Sequence, residues 1–139
     1  MGLLADIYLA NDDTHAKQYD SAPDIFADRL QYRSFTQLEL SILWAIMQGT
    51  TWDPKSLRQF TDVFHANGGE RLICRLPDPM LDHLTKLSED QISAAAAKWA
   101  VTDQLRCKPS DVRPIIEGLI TSARTALQSG RKVYLWNCV

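Results

Sequence analysis

Apolar residues recur at spacings of three and four through much of the chain, which is the pattern of amphipathic helices. The clearest stretch runs from Arg113 or Pro114 to about Gln128, and Gly130 follows it as a natural helix end. Residues 89–106 carry two apolar stripes instead of one, and many of these positions are alanine. We therefore expect that helix to pack between neighbouring elements.

Helix starts are marked by capping residues. Thr36 with Glu39, and Ser88 with Gln91, each have the spacing of a capping box. Asp-Pro pairs at 53–54 and 78–79 place a capping carboxylate before a proline that suits the first helical position. These signals predict helices at 37–48, 54–66, 79–87 and 89–106, with a shorter one over 12–19, whereas residues 21–34 stay ambiguous.

Three short segments favour strands over helices. Residues 5–10 are rich in strand-forming side chains, and residues 132–138 follow Gly130 and are dense in β-branched and aromatic ones. Residues 71–76 lie between the helix stop at 67–69 and Pro77. The three segments lie at both ends and in the middle of the sequence. We therefore predict a single α+β domain over 1–139, helix-dominated, with about five to six helices on a small sheet of roughly three short strands. The alternative is an all-α bundle with an extended C-terminal tail.

Composition narrows the class of protein. Of the 139 residues, 45% are hydrophobic, as in an ordinary globular protein. The net charge is −2, so the chain lacks a basic surface that would attract nucleic acids or anionic lipids. Its three cysteines are widely spaced and odd in number, unlike a secreted disulfide scaffold. The first residues do not resemble a signal peptide, and no apolar run is long enough for a membrane span. We expect a cytoplasmic protein that binds neither nucleic acid nor membrane.

Motifs for metal, cofactor or catalytic chemistry are missing from the sequence. His15, His65 and His83 are isolated and belong to no HExxH or Cys/His cluster. The pair Gly68-Gly69 lacks the lysine and hydroxyl residue of a P-loop, and no GxSxG is present. We expect neither a metal nor a cofactor.

The last strand-like segment carries the candidate binding residues. Tyr134 and Trp136 are two positions apart and so lie on one face of a strand, while Val133, Leu135 and Asn137 lie on the other. If helices cover the Val133 face, the two aromatic side chains are available to a partner; otherwise they belong to the core. Arg75 joins them if the middle strand pairs with the last one. The hypothetical partner site is Tyr134, Trp136 and Arg75.

Three classes of function fit these observations. The first is a small protein-interaction or regulatory module with no catalysis of its own, acting through one protein partner. The second is an enzyme whose site is assembled from dispersed residues, with Tyr8, His65, His83, Arg75 and Arg113 as contributors. The third is a structural subunit that associates with itself.

Overall fold

The computed structural model describes residues 3–139, and within them five antiparallel strands form one sheet in the order β2-β1-β5-β4-β3. The strands are β1 (Leu4–Ala10), β2 (Leu30–Arg33), β3 (Thr61–Ala66), β4 (Arg71–Arg75) and β5 (Lys132–Cys138). The α-helices are α1 (Asp13–Ala16), α2 (Gln37–Gln48), α3 (Asp78–Thr85), α4 (Glu89–Ala100) and α5 (Pro109–Ser129), and short 3-10 turns cover Lys17–Asp20, Pro23–Ile25, Pro54–Gln59 and Asn67–Gly69.

The prediction of a three-stranded sheet is therefore wrong, and so is the all-α alternative. The three predicted segments are β1, β4 and β5, which lie side by side at the centre of the sheet. The two strands that the sequence reading missed, β2 and β3, form the edges.

The missed strand β3 lies inside the predicted helix 54–66. Asp53 does cap a helical turn there, accepting from the Lys55 backbone N–H at 2.9 Å, but this turn ends at Gln59. The next residues include Thr61, Val63 and Phe64, which favour strands. Residues 67–69 then form a turn with positive φ angles, so β3 and β4 make a hairpin where the sequence reading placed the end of a helix.

The two predicted capping boxes are present, at Thr36 with Glu39 and at Ser88 with Gln91. The boundaries of α4 and α5 differ from the prediction, since α4 ends at Ala100 and α5 begins at Pro109. Pro114 is tolerated inside α5 because its missing N–H would pair with the carbonyl of Ser110, an exposed residue in the first turn.

The main core lies between the sheet and the layer formed by α2, α3, α4 and α5. Side chains from one face of the sheet, among them Ile7, Leu9, Val133 and Leu135, are buried in it. Gly118 allows α5 to pack closely against Tyr32 of β2, because a Cβ at position 118 would lie 2.0 Å from the Tyr32 hydroxyl oxygen. The opposite side of the sheet, here called the outer face, carries a separate aromatic cluster.

Candidate functional site

The outer face is covered by the chain itself. Residues 12–26, here called the cover segment, consist of α1 and two 3-10 turns and follow β1 directly. Their side chains Ala16, Tyr19 and Phe26 pack against Tyr8 and Tyr134 of the central strands. Tyr8 and Tyr134 are consequently fully buried.

Two carboxylates of the cover segment attach it to the sheet. Asp13 accepts hydrogen bonds from the Arg75 guanidinium at 2.9 Å and from the Tyr134 hydroxyl at 2.8 Å. Asp20 accepts from Arg71 Nε at 2.8 Å and from Trp136 Nε1 at 2.9 Å. Each carboxylate thus joins an arginine of β4 to an aromatic side chain of β5.

The tyrosines beneath the cover segment are held in their neutral form. Burial raises the pKa of Tyr8, and its hydroxyl donates to the Ala16 carbonyl at 2.8 Å. Burial, followed by the hydrogen bond to Asp13, raises the pKa of Tyr134. Neither phenol is therefore suited to exchange protons near neutral pH.

The three residues of the hypothetical partner site, Tyr134, Trp136 and Arg75, lie on the outer face beside the cover segment. Helices do cover the Val133 face, and β4 does pair with β5, so that Arg75 lies opposite Tyr134. However, Tyr134 is buried, and Arg75 is bonded to Asp13 and Thr61. Trp136 remains half-buried. The face opposite Val133 is therefore covered as well, by residues 12–26, a position that the helix predicted over 12–19 did not specify.

Beside the cover segment, the outer face has a cavity of about 420 Å³, here called the outer-face pocket. This volume falls within the range of about 300–1,000 Å³ that is common for small-molecule sites. Its lining includes Asp6, Tyr19, Arg29, Gln31, Arg33 and Trp136. Gln31, Tyr32 and Arg33 of β2, an edge strand, form one part of its lining.

Asp6 lies on the floor of this pocket and is only 6% exposed. In the register of the sheet it stands opposite Gln31 of β2 and Trp136 of β5. The Tyr19 hydroxyl donates to its Oδ2 at 2.7 Å. Among the residues that the structure describes, no donor bonds its other oxygen, Oδ1, which therefore has capacity for one more partner.

A second cavity, of about 350 Å³, lies on the helix side of the sheet near β3 and the start of α2. Asp62, His65 and Cys74 line it together with apolar side chains. Burial, with a further contribution from Asp62, raises the pKa of the Cys74 thiol to about 12. Because the thiolate is the nucleophile, Cys74 is unsuited to nucleophilic catalysis at neutral pH.

The residues named for a dispersed enzyme site do not meet. Tyr8 and Arg75 belong to the outer face. His65 lies on β3 rather than in a helix, beside the second cavity. His83 lies on α3, and Arg113 on α5 is paired with Glu89, so both belong to the helix layer across the sheet.

Within residues 3–139, no helix has both the length and the apolar character needed to cross a bilayer. The same residues contain no group of three or more His, Cys, Asp or Glu side chains placed to hold a metal ion. No protein-family model, curated protein or solved structure matches this chain.

Two features of the sequence could have pointed to the residues that line the outer-face pocket. Asp6 is an acidic residue inside the otherwise apolar segment 5–10, and a buried charge is more informative than an exposed one. Arg29, Gln31 and Arg33 alternate with other residues, as side chains on one face of a strand do. The second signal was lost because residues 21–34 could not be assigned.

Proposed function

We propose that this protein is a small regulatory module, without catalysis of its own, that binds a small polar molecule in the outer-face pocket. The observation that carries the proposal is Asp6, a carboxylate that is 6% exposed, lines a cavity and has one oxygen with no donor among the described residues. Asp6 Oδ1 is not among the buried side-chain atoms of the described residues that lack a partner, so it keeps some solvent access although the residue is buried. A ligand in the pocket that donates to Oδ1 would form a charge-assisted hydrogen bond there.

Several features support binding rather than catalysis. The pocket combines polar groups with the side of Trp136, which suits recognition of a polar ligand that has an apolar flank. Asp6 and Tyr19 are bonded to each other rather than to a histidine. The three dispersed cysteines favour a reducing compartment, and we place the module in the cytoplasm on that ground.

The proposal is tested by thermal unfolding of the full chain with a library of polar metabolites. A ligand at 100 times its Kd stabilises a protein by about 2.7 kcal/mol, which for this chain length is a Tm rise of roughly 8 °C. We expect at least one compound to raise the Tm of the wild type and to have little effect on Asp6→Asn.

The matched control is Asp82→Asn, which changes an exposed carboxylate on α3. It should respond like the wild type. The proposal fails if no compound raises the Tm, or if every compound that does so acts equally on Asp6→Asn.

Self-association is the second candidate function, and Ile25 is the observation that favours it. This apolar side chain of the cover segment is 61% exposed and lies two residues from Pro23, which lines the outer-face pocket. A second copy that covered Ile25 would remove its apolar surface from water. Sedimentation velocity should then show a concentration-dependent dimer that Ile25→Ser dissociates and Val101→Ser leaves intact. A monomer at every concentration would exclude self-association.

A further inference from the structure

The charges of the outer-face pocket form a specific pattern. Asp6 is central, and β2 presents Gln31 directly opposite it. Arg33 is two residues further along β2, opposite Leu4. Arg33 therefore lies diagonally across from the Asp6 carboxylate, at the diagonal spacing of about 7–8 Å. Arg29 directly precedes β2 and lines the same pocket.

Not all of these charges are equally available to a ligand. Asp20, the second acid of the pocket, is already bonded to Arg71 and Trp136. Arg29 pairs with Asp24, whose side chain is 92% exposed, and exposed pairs of this kind contribute little. Arg33 forms no ion pair with any residue in 3–139. One acceptor oxygen of Asp6 and the guanidinium of Arg33 are therefore the available groups, with Arg29 beside them.

A ligand of a single charge fits this arrangement poorly. An anion drawn to the arginines meets the Asp6 carboxylate, and a cation drawn to Asp6 meets Arg29 and Arg33. A molecule with both charges a few bonds apart satisfies both sides. Its ammonium group donates to Asp6 Oδ1, and its carboxylate accepts the forked N–H groups of a guanidinium.

We infer that the outer-face pocket binds a small zwitterion, of which a free α-amino acid is the simplest example. The ammonium group bonds Asp6, and the carboxylate bonds Arg33 and Arg29. This inference rests on the proposed function and specifies its ligand.

The test is isothermal titration of the full chain with the standard α-amino acids. For each one that binds, two analogues with a single charge are titrated as well: the amine without the carboxylate, and the N-acetylated acid. We expect each analogue to bind at least tenfold more weakly than the parent amino acid. Because these titrations use the wild-type chain, they do not depend on the folding of any variant.

Variants then assign the charges. Asp6→Asn, whose amide oxygen can still accept from Tyr19, and Arg33→Gln should each weaken binding of the amino acid at least tenfold. In Arg33→Gln, the N-acetylated acid should bind more weakly than it binds to the wild type, whereas the decarboxylated amine, which has no carboxylate, should lose no affinity. Asp82→Asn and Arg58→Gln, at exposed positions away from the pocket lining, should bind as the wild type does.

The inference is overturned if no amino acid binds at millimolar concentration, or if an analogue with one charge binds as tightly as the parent. Asp6-dependent binding of a neutral polyol or a simple anion from the metabolite library would also overturn it, while leaving the proposed function in place. If no compound of either set binds, both proposals fail.

Discussion

The ring of Tyr8 on β1 stacks on the ring of Tyr19, with 4.1 Å between the centroids and 18° between the planes. Tyr8 belongs to the sheet and Tyr19 to the cover segment, so this contact closes the aromatic cluster of the outer face. Stacked aromatic pairs contribute about 0.5–1.5 kcal/mol beyond the area they bury. The outer-face pocket lies at the margin of this cluster, where Tyr19 turns its hydroxyl toward Asp6.

Trp136 has a structural role that mutation should reveal. It packs near Tyr19, with ring centroids 5.9 Å apart, and donates to Asp20. Trp136→Ala should lower the free energy of unfolding by about 2–4 kcal/mol, somewhat less than for a fully buried tryptophan. Urea unfolding followed by circular dichroism measures this loss. Val101→Ala, at an exposed position, is the control. Equal stability of the two variants would show that Trp136 does not help to hold the cover segment on the sheet.

Asp20 should make that attachment dependent on pH. Burial alone would raise the pKa of Asp20, but hydrogen bonds from Arg71 and Trp136 outweigh it, and the pKa falls below its ordinary value of 3.8. The ionised carboxylate therefore stabilises the folded state above about pH 4, and this contribution is lost as the pH falls through the lowered pKa.

Asp20→Asn should consequently cost about 1.5–3 kcal/mol at neutral pH, as expected for hydrogen bonds to a charged group. The difference from the wild type should shrink below about pH 4. Asp24→Asn, in an exposed pair with Arg29, should change stability little at either pH. A difference that stays constant from pH 7 to pH 3 would show that the charge of Asp20 is not involved.

Replacing Gly118 with alanine should not give the stabilisation that alanine usually gives inside a helix. Alanine normally stabilises a helix interior by about 1 kcal/mol relative to glycine. At position 118, however, the added Cβ would meet the Tyr32 hydroxyl and Leu30, and overpacking of this kind costs about 1–3 kcal/mol. Gly118→Ala should therefore be destabilising in thermal unfolding, and adding Tyr32→Phe should recover part of the loss. A stabilised Gly118→Ala would show that β2 does not approach α5 so closely.

The two capping boxes provide a local test of the helix starts. Thr36 accepts from the Leu38 backbone N–H at 3.2 Å, and Ser88 accepts from that of Gln91 at 3.2 Å. Thr36→Ala and Ser88→Ala should each cost about 1 kcal/mol. Thr51→Ala, at an exposed position outside these caps, should cost much less in the same chemical denaturation experiment. Equal values for all three would contradict the capping role.

Local signals predicted the starts of α2 and α4 and the three central strands because both depend on neighbouring residues. A capping box joins residues three apart, and a buried strand is recognisable by its own composition. The edge strands were harder. β2 has only four residues, and β3 follows an Asp53-Pro54 signal that begins a helical turn of six residues. Each is stabilised as a strand by pairing with a partner that is distant in sequence or lies across a hairpin.

The candidate site could not be assembled from the sequence for a related reason. Asp13 and Arg75 are 62 positions apart, and Asp20 and Trp136 are 116 apart. Only the order of strands brings them together. The alternation of Tyr134 and Trp136 with Val133 and Leu135 was predicted, since it follows from strand geometry alone. What covers each face depends on the whole fold.

The claim that residues 12–26 close the outer face is tested most directly by two-dimensional NOE spectroscopy with assigned tyrosine rings. We predict NOEs between the ring protons of Tyr8 and Tyr19, whose centroids are 4.1 Å apart. The internal reference is the pair Tyr8 and Tyr134, whose centroids are 5.7 Å apart within the sheet. If NOEs between Tyr8 and Tyr134 are observed but none join Tyr8 to Tyr19, the sheet is formed without its cover, and the account of the outer face is contradicted.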